Sequence, residues 1–270
     1  EWRFGNIYYT KKGTGSPILL IHDTLPGASG YEWSKIEDEL AIDHTVYTVD
    51  LLGCGRSDKS SITYTNFVYV QMISDFIKKI IGQKTDVIAS GFSGSFVTMA
   101  CHNEKELFNK IMLVNPPSLT QLKQMPNRTD RLLKAALEIP IFGTLVYHMI
   151  VSRDNINNLF IEKMYYNPFH VDNQMADAYY EAAHKGGYYT RFLYSSLAAK
   201  YININICHAL KALDNSIYIV EGETEPNGKA VTDDYCASNP AIEVSVLKET
   251  KHLPHVEAPE AFLEQVKIFF

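Results

Sequence analysis

The chain has 270 residues, of which 46% are hydrophobic and 21% charged, and its formal net charge is −6. That length holds one large α/β domain or a core domain carrying an insertion, and the mean hydropathy of −0.13 is ordinary for a globular protein. The acidic balance argues against a nucleic-acid-binding face, and no window reaches the roughly 18 consecutive apolar residues that a membrane-spanning helix needs.

In chain order, IYYT (7–10) and PILLIH (17–22) are short β-rich runs separated by the turn-prone KKGTGSP. HTVYTVDL (44–51) is a third strand, ending in the turn Gly53-Cys54-Gly55. A helix follows, with Ile73, Phe76, Ile77, Ile80 and Ile81 at helical spacing and Gly82 as its stop. TDVIAS (85–90) reads as a buried strand, the stretch from Ser95 to Lys105 as a helix, and KIMLVNPP (110–117) as a strand broken by two prolines. This rhythm predicts an α/β fold with a mostly parallel central sheet and helices on both faces. From Ser118 to about Tyr201 the rhythm gives way to helical pattern, with nine of the seventeen tyrosines. It resumes with the strands DNSIYIVEG (214–222) and AIEVSVLKET (241–250), and closes on the helix PEAFLEQVKIFF. The expected organisation is a core of residues 1–117 and 206–270 with a helical cap, 118–205, over the sheet's carboxyl edge, where open α/β sheets bind ligands.

Cys54, Cys101, Cys207 and Cys236 lie far apart with no C-x-x-C, so free thiols are expected rather than a zinc site or disulfide framework. Asn127-Arg128-Thr129 is a glycosylation sequon, a pattern common by chance. The chain opens at Glu1 rather than Met, which leaves an upstream signal, anchor or tag open; a cytoplasmic location is the expectation.

Four segments carry candidate chemistry. Gly-x-Ser occurs at Ser29, Ser57 and Ser93, but only Ser93 lies between a buried strand and a helix start, among the small residues Gly91, Gly94 and Ser95. It is either a nucleophile on a strand-to-helix elbow or a helix-cap serine. His252 sits in a loop between a strand and a proline-started helix, and an H-x-x-H pair with His255 is a weak metal signal. Glu221, Glu223 and Glu225 follow a buried strand, where one of them could fix the tautomer of His252 or all could form a solvated turn. At His22-Asp23 a strand opens into a loop, and the N–H groups of Thr24 and Gly94 could converge as an oxyanion hole.

Together these segments resemble the α/β-hydrolase superfamily over essentially the whole chain. VDLLGCGRSD, with Asp50, Gly53, Gly55 and Ser57, is similar to its D-x-x-G-x-G-x-S segment, and KHLPHVEAPEAF to its G-H-x-x-x-x-E-x-P-x-x-F ending. The resemblance implies Ser93 as nucleophile, His252 as general base and then acid, and Glu225 as triad acid with Glu223 as the alternative. It further implies Thr24 and Gly94 as oxyanion donors. Three positions depart from the pattern. Asp23 replaces a glycine, and an inward carboxylate there would oppose a tetrahedral intermediate; Ser95 and Phe96 alter the turn; Glu225 is longer than the usual aspartate.

The implied function is a serine hydrolase cleaving a small-molecule ester, thioester or related acyl compound through an acyl-enzyme. Carbon–carbon bond hydrolysis or a lyase reaction with the same triad is the alternative, as is a non-catalytic sensor of a small ligand. No phosphate-binding loop, metal cluster or nicotinamide fingerprint is visible, so cofactor-free activity is expected, in a mainly apolar pocket beneath the cap lined in part by tyrosines. The oligomeric state is not legible.

Overall fold

The computed structural model describes residues 1–270 and resolves the alternation into seven strands: β1 (Tyr9–Lys12), β2 (Ser16–Ile21), β3 (His44–Val49), β4 (Thr85–Ser90), β5 (Phe108–Val114), β6 (Ile217–Gly222) and β7 (Glu243–Leu247). They form one sheet in the order β1-β3-β2-β4-β5-β6-β7, parallel except for β1, which runs antiparallel to β3. The central runs are apolar on both faces because helices cover both. Leu19, Ile21, Val87, Ala89, Ile111 and Leu113 enter one core, while Ile18, Leu20, Ile88, Met112 and Val114 enter the other.

The first strand lies two residues later than the expected IYYT. Its register comes from pairing with β3, which sets Lys11 opposite Tyr47 and Lys12 opposite Val46. An edge strand tolerates these lysines, and Lys12 reaches Glu37 and Asp38 at 2.6 and 3.0 Å. The helix Asn66–Phe76 starts on a Thr65 cap, continues as a π turn to Ile81, and stops at Gly82, whose φ of 75° suits glycine. All four cysteines are free.

No strand intervenes between β5 and β6, which are joined by a long helical segment. Tyr147, Phe160, Met164, Tyr165, Met175 and Tyr179 of that segment form a buried cluster that also takes in Ala28, Leu253 and Val256. Each such large side chain contributes about 1.5–3 kcal/mol on full burial, so the segment is fastened onto loops at the sheet's carboxyl end. No single helix is long and apolar enough to cross a membrane.

The chain leaves β2 toward β3 on one side and later returns to β4 on the other. The carboxyl ends of β2 and β4 therefore flank the point where the strand order reverses, which is where a crevice opens in such sheets. Asp23 follows β2 there, and Gly91 follows β4.

Candidate active site

The chain turns sharply between Ser90, the last residue of β4, and the helix Ser93–Asn103. The residue that makes the turn is Gly91, with φ +52°, in the left-handed region that side chains avoid. Hence the elbow lies two residues before Ser93. Placing Ser93 on the elbow is corrected on this geometry: Ser93 is fully buried in the first turn of the helix. Its hydroxyl donates to the carbonyl of His22 at 2.6 Å and lies 3.1 Å from Thr24 Oγ1. It makes no hydrogen bond to His252 and does not line the cavity above the sheet, whereas Gly91 and Phe92 do.

Asp23 fills the space that an elbow side chain would need. A Cβ built on Gly91 would lie 2.2 Å from both Cγ and Oδ1 of Asp23. One carboxylate oxygen, Oδ1, accepts from the N–H of Thr24 at 2.6 Å and from the N–H of Phe92 at 2.8 Å. Phe92, not Gly94, thus partners Thr24. The N–H of Gly94 is spent on the carbonyl of Gly91 at 3.1 Å, closing the turn, which corrects its expected role. Asp23 does point inward, and the two convergent donors hold its own oxygen.

The other oxygen, Oδ2, lies 3.4 Å from His252 Nε2, and Glu225 Oε1 lies 3.2 Å from His252 Nδ1. The structure therefore brings together Asp23, His252 and Glu225. Glu223 turns away, accepting from the N–H of Glu249 at 2.9 Å. Both ring nitrogens face carboxylate oxygens, which only accept, so both must be donors and the ring is an imidazolium. Burial works against that charge, but the hydrogen bonds and fields of Asp23 and Glu225 outweigh it and push the His252 pKa up to about 10.

Residues outside the sequence-derived set hold this arrangement. Asn115, at the end of β5 with φ 42°, accepts from the N–H of Gly222 and donates to the carbonyls of Lys251 and His252 at 2.8 and 2.9 Å. It stitches the end of β6 to the histidine loop, and its only sequence signal is an asparagine between a strand and Pro116-Pro117. His22 takes the N–H of Leu51 on Nε2, so its Nδ1 carries the proton and donates to the carbonyl of Asp23 at 2.6 Å. Behind them Glu32 receives the Asp23 N–H at 3.3 Å and pairs with His255 at 3.2 Å. His255 stacks on Trp33 with centroids 4.3 Å apart, so its ring faces Glu32 and the core rather than His252.

Asp23, His252 and Glu225 lie on the wall of a cavity of about 530 Å³ between the sheet and the helical segment. More of its surface is apolar than polar, as expected, through residues such as Leu25, Phe92, Leu159 and Met164, while Glu162, Lys163, Glu221 and Lys251 contribute charge. No tyrosine lines it. Tyr165 and Tyr179 pack into the buried cluster of the helical segment, while Tyr166, Tyr188 and Tyr189 face solvent.

The model of a family described as the alpha/beta hydrolase family matches residues 18–265. A 2-hydroxy-6-oxo-6-(2'-aminophenyl)hexa-2,4-dienoic acid hydrolase of Metapseudomonas resinovorans is 29% identical over 113 residues, covering 41% of this chain and 39% of that protein. The chain thus aligns with about two fifths of the length of that curated relative. Among solved structures, a meta-cleavage product hydrolase from Pseudomonas fluorescens IP01 superposes with a TM-score of 0.78 at 19% identity, over 98% of this chain and 94% of that one. The epoxide hydrolase CorEH superposes with a TM-score of 0.80 at 16% identity, over 98% and 95%. At these identities the superpositions speak for the fold.

Proposed function

The chain belongs to the alpha/beta hydrolase family, and from that premise we propose that it hydrolyses a small molecule held between the sheet and a cap of residues 118–205, with His252 moving the protons. The observation that carries this reading is the line Glu225–His252–Asp23 at the cavity wall, ending on the N–H pair of Thr24 and Phe92. A charged imidazole is a proton donor, so His252 begins the cycle by protonating a leaving atom. Once neutral, and with Glu225 holding its Nδ1 hydrogen, the same ring can take a proton from water. Glu225 keeps the ring oriented and stabilises its charge, the role a triad carboxylate plays.

An acyl-enzyme on Ser93 finds no support in this geometry. Its hydroxyl is tied to the His22 carbonyl, and no base contacts it. A fluorophosphonate probe is therefore expected to leave the native protein unlabelled, and Ser93→Ala to keep wild-type turnover. Labelling at Ser93, lost in both Ser93→Ala and His252→Ala, would restore the serine route.

The hydrolase reading itself is tested by following product release from a panel of aryl esters, lactones, epoxides and vinylogous diketones by the wild type and by His252→Ala. Turnover of at least one class that requires His252 supports it. One observation favours a second reading, a non-catalytic sensor: both N–H donors are already satisfied by Asp23. Ligand capture with no turnover of any class would favour the sensor.

A further inference from the structure

Resting on that hydrolase reading, we propose that Asp23 is the covalent nucleophile, and that the substrate is a small alkyl electrophile with an oxygen leaving group, the simplest being an epoxide. Three observations converge. The elbow position, Gly91, has no side chain, and the carboxylate of Asp23 occupies the volume its side chain would take. Asp23 Oδ2 is the atom that faces His252 Nε2, and Asp23 lines the cavity while its side chain is only 5% exposed. Asp23 Oδ1 holds the N–H groups of Thr24 and Phe92.

The last point selects the substrate class. Hydrolysis of an acyl compound requires the substrate's own carbonyl oxygen in the N–H pair when negative charge develops on it. Here that place belongs to an oxygen of the protein. The pair can therefore stabilise an oxyanion only on Asp23 itself, and such an oxyanion arises when an ester of Asp23 is hydrolysed.

The steps balance. Oδ2 attacks the epoxide carbon, the carbon–oxygen bond breaks, and its electron pair leaves on the ring oxygen, which takes the proton of His252 Nε2. Asp23 is now a neutral ester and His252 a neutral base, since one of the two charges that held its proton has gone. Water gives a proton to His252 and adds to Asp23 Cγ, and the negative charge collects on Oδ1 between Thr24 and Phe92. Collapse expels the alkoxide, which recovers the proton from His252 as the diol leaves, so the ring is left neutral. Asp23 is regenerated as a carboxylate, and the ring takes back the proton released by the added water. The sum is epoxide plus water giving diol, and one carboxylate oxygen has come from water.

The test uses styrene oxide and 1,2-epoxyhexane in water enriched in oxygen-18, with proteolysis and mass spectrometry of the peptide containing Asp23. Diol formation together with one or two heavy oxygens on Asp23 is expected, and both are lost in Asp23→Asn. In wild-type protein quenched with acid during turnover, an alkyl ester on Asp23 is expected as an intact-mass adduct, and His252→Gln, which lacks the proton donor for ring opening, is expected to show neither adduct nor diol. Diol formation with heavy oxygen in the product alone would overturn the covalent role while leaving the hydrolase reading standing. Hydrolysis of esters or lactones but of neither epoxide would overturn the substrate class, and inertness toward every compound would overturn both.

Discussion

Replacing His252 with alanine should lower turnover by about a thousandfold or more, because a single ring supplies both the proton that leaves and the base that follows. In the wild type that ring bridges Glu225 and Asp23 at 3.2 and 3.4 Å, and no other imidazole touches either carboxylate. Without it, two acids share the cavity wall with no cation between them, and each half of the cycle loses its proton carrier. Glu225→Gln should cost less, since the ring and Asp23 remain. Steady-state rates on any compound turned over by the wild type check this. A variant within tenfold of the wild type would move the chemistry elsewhere.

The second large effect belongs to Gly91. In Gly91→Ala the new methyl group would overlap Asp23 Cγ and Oδ1 at 2.2 Å, on a residue whose φ of +52° already disfavours a side chain. Overlap and backbone strain together should cost roughly 2–4 kcal/mol, and Asp23 should be driven off the N–H pair, with activity lost. The steric origin is checked by a double-mutant cycle: adding Asp23→Gly should recover at least about 1 kcal/mol of that stability, because the colliding partner has gone. Additive losses would mean that Gly91 and Asp23 are not competing for one volume. The same logic predicts that Asp23→Gly combined with Gly91→Ser becomes reactive to fluorophosphonate at position 91.

Much of the fold was legible because it rests on local pattern. Apolar runs such as PILLI and DVIA belong to strands buried on both faces, and the spacing of Ile73, Phe76 and Ile77 belongs to a helix lying on one core. The first strand slipped by two residues because an edge strand takes its register from its neighbour. At the site, the loops bearing His252 and Glu225 stood out through their flanking glycine and prolines. The elbow did not. Ser93 drew attention as a serine among small residues, but the turn is made where φ becomes positive, and Gly91 shows no chemistry of its own in the sequence. Asp23 was visible as an acid in place of a glycine; its inward direction depends on a missing Cβ some 68 positions away. The donor on Phe92 is main chain, and so silent in side-chain pattern. Tyrosines were expected to line part of the cavity, yet those rings were needed for the helical segment's own packing or reached solvent.

His252 stands between two carboxylates, one of them Asp23. Heteronuclear NMR titration of the ring nitrogens of His252 tests this placement most directly, in the wild type and in Asp23→Asn. An imidazolium that persists through neutral pH and titrates at about 10 is expected in the wild type, with the midpoint falling in Asp23→Asn. Because the pKa is raised on folding, the associated stability should be complete below about pH 6.5, the unfolded value, and be lost as pH rises through about 10. A wild-type ring that titrates near 6.5, unmoved by Asp23→Asn, would contradict it.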